Sequence, residues 1–181
     1  MRTPMITKED LPEDKRHVWD QIAGSRGGVR GPFQVLLNSP EVASRATHLG
    51  TYLRYEGVLD GAIRELAIVS TAREFDAQVE WAAHTPLALK EGATQAAIDA
   101  VRDRKSLEGL SDQEATVIQY CRELFGKKRV AQATFDKALE LFGVQGLTEL
   151  TVTMGYYSMI ACCLNAFEVE PSPEAELRLP V

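Results

Sequence analysis

Cysteine is scarce: only Cys121, Cys162 and Cys163 occur. An odd count, in a chain whose start does not read as an export signal, excludes a disulfide framework and suits a reducing cytosol. Cys162 and Cys163 are adjacent, so on a helix they point about 100° apart and would join only with strain. The thiols are expected as small apolar core residues. Basic charge is also short, with 20 Lys and Arg against 26 Asp and Glu, a net charge of −6. That balance excludes nucleic acid and anionic membranes as main partners, since both need a basic surface. The opening MRTPMITKEDLPEDKRH carries charges where a signal peptide needs an apolar stretch, which points to the cytoplasm. The longest charge-free run, 150–167, contains Thr, Ser, Gly, Asn and two Tyr, and reads as a buried helix rather than a membrane span. The glycines of GSRGGVRGP, residues 24–32, lack dinucleotide spacing and the Lys-Ser/Thr ending of a phosphate loop. They are expected to form a connector, with Arg26 or Arg30 placed to help cover a site.

What is present is helix. The chain has 181 residues, 45% of them hydrophobic, enough for one domain with a real core. A first helix is predicted over 11–23, with Val18, Trp19 and Ile22 on one side. Ser39-Pro40-Glu41 is a helix start, and that helix should run to about Tyr55. The next is predicted from Asp60 or Gly61 to Phe75, after which Asp76 caps a helix ended by Gly92. A short helix over 94–104 follows, then one opened by the capping box Ser111-Asp-Gln-Glu114. Helices over 134–142, closed by Gly143, and 147–167 complete the set. No strand pairs are evident. The expected fold is an all-α, multihelical single-domain bundle, with an N-terminal helix and loop over 1–30, a core over 31–168 and an extended tail over 169–181. The Pro-rich, charged tail is expected to lie over the surface or on another subunit.

Polar residues that face inward carry function in such a bundle. In AQVEWAAHTP, residues 77–86, Glu80 and His84 are four apart and share one helical face. They read as a proton-transfer pair, as two metal ligands, or as a core histidine satisfied by a neighbour. Glu65, one helix earlier, has Ile68, Val69 and Ala72 at +3, +4 and +7, inside an apolar stripe where Glu rarely sits unpartnered. Pro86 lacks the N–H that the carbonyl of Ala82 would bind, so a bend is expected near His84. His17 and His48 lie in polar contexts and are assigned to the surface. Tyr156, Tyr157 and Asn165 are candidates to line a pocket, with aromatic core as the alternative.

RELAIVSTAREF, EWAAHTPLALKEG and FGVQGLTELTVTMGYYSMIACCLNAFEV together resemble the carboxymuconolactone decarboxylase family, which also contains the alkylhydroperoxidase-D type of protein. The similarity runs from about GPFQVLLNSPEVA to NAFEV, and Glu65, His84 and Ala88 match its Glu, its His nineteen residues later and its Ala four further on. The resemblance implies an alkylhydroperoxidase-D-like bundle and a trimeric or hexameric homo-oligomer. The peroxidase branch places a Cys-x-x-Cys pair seven and four residues before the His, where this chain has Ala77 and Glu80. Without a thiolate there, thiol peroxidase activity is disfavoured.

The decarboxylase branch implies cofactor-free chemistry on a small carboxylated lactone or related organic acid. His84 is then the acid/base, and Glu80 or Glu65 orients it or shares its proton. Arg64 or Arg73 is a candidate for the substrate carboxylate, with salt bridges as the alternative, and Tyr156 for the pocket wall. Two carboxylates and an imidazole also allow a metal at Glu65, Glu80 and His84, although the family chemistry needs none. The non-enzymatic alternative is an oligomeric ligand-binding protein in which the three residues form a closed, buried cluster.

Overall fold

A computed structural model describes residues 1–173, 175 and 177–180, apart from the side chain of Arg26. Arg26, expected to help cover the site, therefore lies outside the described side chains. Among the described residues the fold is all-α, with no strand. Helices α1 (Arg16–Arg26), α2 (Pro32–Leu36), α3 (Pro40–Thr51), α4 (Gly61–Glu74), α5 (Gln78–Glu91), α6 (Gln95–Asp103), α7 (Asp112–Gly126) and α8 (Gln132–Ala166) follow in order. A 3-10 turn, Glu13–Lys15, precedes α1, and a π-helical turn, Tyr52–Glu56, extends α3.

The centre of the bundle is α4. Asp60 caps it, accepting from the N–H of Ala62 at 2.9 Å. Leu66, Ala67, Ile68 and Val69 are fully buried, as a helix apolar on most sides must be. It packs against α5, α7 and α8. Leu66 and Val69 join one core cluster with Val117, Ile118, Leu150 and Met154. Ile68 faces the other, with Ile22, Phe33, Tyr157 and Ile160. Polar groups on α4 are therefore held between two apolar masses.

Several expectations change in detail. Asp76 does not cap α5: Ala77 stands at that position, and Asp76 has φ 47° and pairs with Arg73 instead. Helix α5 continues through Pro86, which is exposed, so the ring is accommodated on the solvent side. The break predicted at Gly143 is present: within α8 the backbone leaves helical geometry there (φ 66°, ψ 177°), in a conformation that favours glycine, and divides the run into two helices. Of the three cysteines only Cys121 is buried; Cys162 is exposed, because it faces away from the apolar side of α8. That apolar side carries buried Leu150, Met154, Tyr157, Ile160, Ala161 and Leu164, and no helix among the described residues is long and apolar enough to cross a membrane. The tail folds back on its own chain: Leu179 is buried and exchanges two hydrogen bonds with the Gln78 side chain, at 2.9 and 3.1 Å.

Candidate functional site

Helical geometry sets the first contact. One turn apart on α5, Glu80 and His84 face the same way, and Nε2 of His84 lies 3.2 Å from Glu80 Oε2. Packing of α4 against α5 sets the second, a hydrogen bond of 2.7 Å between His84 Nδ1 and Glu65 Oε2. All three residues are buried. The imidazole is thus held between two carboxylates, one on each nitrogen.

Burial alone would push the His84 imidazolium towards deprotonation, but Glu65 and Glu80 more than offset it and raise its pKa to about 9. At neutral pH the ring is therefore a cation that donates from both nitrogens. Burial pushes the Glu65 carboxyl up, yet the His84 hydrogen bond and charge, with Arg54 and Arg64 nearby, hold it below its ordinary value. The Tyr157 ring meets His84 edge-on, with centroids 5.1 Å apart. Burial drives its phenol well above the ordinary range, so it stays a neutral hydroxyl.

Glu80, His84 and Tyr157 line a cavity of about 450 Å³ that is open to solvent. Its walls also come from the glycine-rich connector (Gly28, Arg30, Gly31), from Arg54 and from the tail at Val169 and Pro171. The connector can pass so close because Gly31 takes φ 55° as it enters α2. Tyr156 lines the cavity too, and its hydroxyl donates to the Ala46 carbonyl at 3.0 Å. Asn165 does not; it is exposed and binds the Phe75 carbonyl. His17 and His48 are exposed, away from the cluster.

The two arginines proposed from sequence stand elsewhere. Arg73 donates to the Arg102 carbonyl at 2.8 Å and pairs with Asp76, and it does not line the cavity. Arg64 lies behind the cluster, its Nε 3.6 Å from Glu65 Oε1, and is also absent from the cavity wall. Besides Arg30 of the connector, the arginine that reaches the cavity is Arg54, which helical periodicity does not single out. The π turn adds a residue to the local repeat and so shifts the phase by which faces are counted.

The three residues do not converge on one point, because the carboxylates occupy opposite nitrogens of one ring. Among the described residues, no group of three or more His, Cys, Asp or Glu is arranged to hold a metal ion. Ala77 is fully buried and Glu80 is paired with His84, so neither position offers a thiol. Cys121 does not line the cavity; it contacts Thr71, and burial pushes its thiol far up.

Comparison with known proteins gives a consistent picture. Residues 40–123 match the model of the Carboxymuconolactone decarboxylase family. No curated relative matches the chain. Among solved structures, it is similar to the alkylhydroperoxidase AhpD core of an uncharacterized peroxidase-related protein from Ralstonia eutropha, with TM-score 0.76 and 19% identity, covering 98% of this chain and 95% of that one. A protein of unknown function from Agrobacterium tumefaciens gives TM-score 0.65 at 15% identity, over 80% of this chain and all (100%) of its own. The debrominase Bmp8 in its apo form gives 0.70 at 9% identity, over 93% and 90%. At these identities the likeness is one of fold.

Proposed function

With the carboxymuconolactone decarboxylase family pattern over residues 40–123 and an alkylhydroperoxidase-D-like fold around it as premises, we propose that the protein is a cofactor-free acid–base enzyme acting on a small organic acid. The observation that carries this reading is the His84 ring, charged, doubly bound by carboxylates and open to a cavity large enough for a one-ring substrate. A closed cluster would suit a purely structural role; a cluster that lines an open cavity suits chemistry.

The reaction proposed is decarboxylation of a carboxylated lactone, or isomerisation or hydrolysis of a related acid. In the decarboxylation, the bond between the ring carbon and the departing carboxylate breaks and carbon dioxide leaves. Its electron pair passes through the conjugated double bond into the lactone carbonyl, giving a dienolate. The neutral Tyr157 hydroxyl is the donor suited to that oxygen. One proton then moves from His84 to carbon, directly or through Glu80, and water restores it. Glu65 keeps the ring oriented and charged throughout. No thiol takes part, in keeping with Ala77 and Glu80 at the redox positions. The same proposal includes a homo-oligomer, trimeric or hexameric, which light scattering tests.

The test is turnover of a γ-carboxylated unsaturated lactone, followed by loss of ultraviolet absorbance and release of carbon dioxide. Glu80→Gln should lower kcat at least a hundredfold while the circular dichroism melt stays cooperative. Unchanged kcat in that variant would overturn the assignment.

A further inference from the structure

Arg54 stands out among the cations of the cavity. Its Nε atom is buried and has no hydrogen-bond partner, and its guanidinium makes no ion pair among the described residues. It stacks on Tyr55, 5.2 Å from the ring centroid. An N–H withdrawn from water without an acceptor is costly, so such a donor is usually paired; Arg54 as a whole is half-buried and lines the cavity. Glu65 and Glu80 are close enough to act on it electrostatically, but each already binds a nitrogen of His84. Among the charged residues of the cavity wall, Arg30, Arg54 and His84 stand against Glu80 and Glu170, which leaves one positive charge around the cavity.

The backbone holds Arg54 in this place. The π turn that carries it is pinned through Glu149, whose Oε1 accepts from the Tyr52 hydroxyl at 2.8 Å and whose Oε2 accepts from the Val58 N–H at 2.7 Å. Gly57 lies so near that carboxylate that a Cβ there would come within 2.6 Å of it. A π turn with its ends fixed this firmly aims one side chain, and the side chain it aims is Arg54.

We propose that Arg54 is the receptor for a carboxylate of the molecule that occupies the cavity, and that it sets the ligand's orientation with the reacting part towards Glu80 and His84. The guanidinium fork suits a carboxylate held by two parallel hydrogen bonds. The inference rests on reading the cavity as an active site, and adds which residue takes a carboxylate of the ligand and which end of the ligand goes where. A carboxylate held equally before and during reaction contributes affinity and orientation rather than rate. It is therefore an anchor, and the group that departs in a decarboxylation is a different one.

Calorimetric titration with benzoate, its neutral isostere benzamide and the cation benzamidine tests this on the intact protein. The wild type should bind benzoate at least tenfold more tightly than benzamide, and benzamidine least. Arg54→Gln should bring the benzoate-to-benzamide ratio close to one, while the surface control Arg45→Gln leaves it unchanged. If Arg54→Gln fails to fold, Arg54→Lys decides: a ratio reduced severalfold supports the receptor, because the charge remains and the fork is lost. The proposal is overturned if the wild type shows no preference for benzoate or does not bind it, or if the ratio survives replacement of Arg54. The acid–base reading fails separately. Turnover insensitive to Glu80 with the benzoate preference intact removes that reading alone, whereas Glu80-dependent turnover without the preference removes this one alone.

Discussion

The Nε2 atom of His84 lies 3.2 Å from the carboxylate of Glu80, so the imidazole is already paired within its own helix. With Glu65 at 2.7 Å on the other nitrogen, both ring nitrogens have a carboxylate partner. On the proposed acid–base reading, substrate works through this pair or displaces part of it.

Replacing His84 by Gln removes the cation between two buried carboxylates. Turnover should fall at least a hundredfold. Stability should fall by about 3 kcal/mol, because Glu65 and Glu80 then face each other without a compensating charge. Urea unfolding monitored by circular dichroism gives the second quantity, and a midpoint equal to wild type would contradict the ion cluster.

The cluster makes stability depend on pH in a defined direction. His84 has its pKa raised from 6.5 to about 9 on folding, so its contribution is complete below 6.5, declines as pH rises and is gone above about 9. Glu65 is lowered from 4.5, so its contribution is present above that value and is lost as pH falls below it. Melting temperature followed from pH 4 to pH 10 should therefore decline on the alkaline side, by an amount worth on the order of 3 kcal/mol. The His84→Gln protein should lack that alkaline decline, and kcat should fall along the same limb.

Glu149 supports the π turn from outside the cavity. Glu149→Ala removes acceptors from the Tyr52 hydroxyl and the Val58 N–H and should cost about 1–3 kcal/mol. It should also weaken benzoate binding severalfold by loosening Arg54, while Glu123→Ala, also buried but remote from the cavity, should not. Equal benzoate affinity in the two variants would count against this support.

The tail closes part of the cavity through Val169 and Pro171 and is fastened at Leu179 by Gln78. Gln78→Ala should leave the global melt within about 1 kcal/mol, since the bundle core is untouched. It should increase hydrogen exchange over 169–180 and speed benzoate release. Exchange in that segment equal to wild type would show that Gln78 does not fasten it.

Local rules account for what could be read in the residues alone. Burial of Glu65 followed from its place in an apolar stripe, and the Glu80–His84 contact from four-residue spacing on a helix, because both depend on neighbours within a turn or two. The missing thiols at 77 and 80 were equally plain. Corrections fell where a side chain's environment comes from other elements. Arg64 and Arg73 carry the right charge in the right helix, but packing leaves both off the cavity wall, with Arg73 drawn to the Arg102 carbonyl on α6.

Periodicity and composition alone thus determined an all-helical chain, the Glu80–His84 contact and the burial of Glu65. Tertiary structure decided the rest: that Glu65 meets the second nitrogen of His84, that a π turn brings Arg54 to the cavity, and that the tail lies over it. The physical reason is that helix phase is set by backbone hydrogen bonds between near neighbours. Which phase faces a cavity depends on packing between distant segments, and one added residue in a turn is enough to change it.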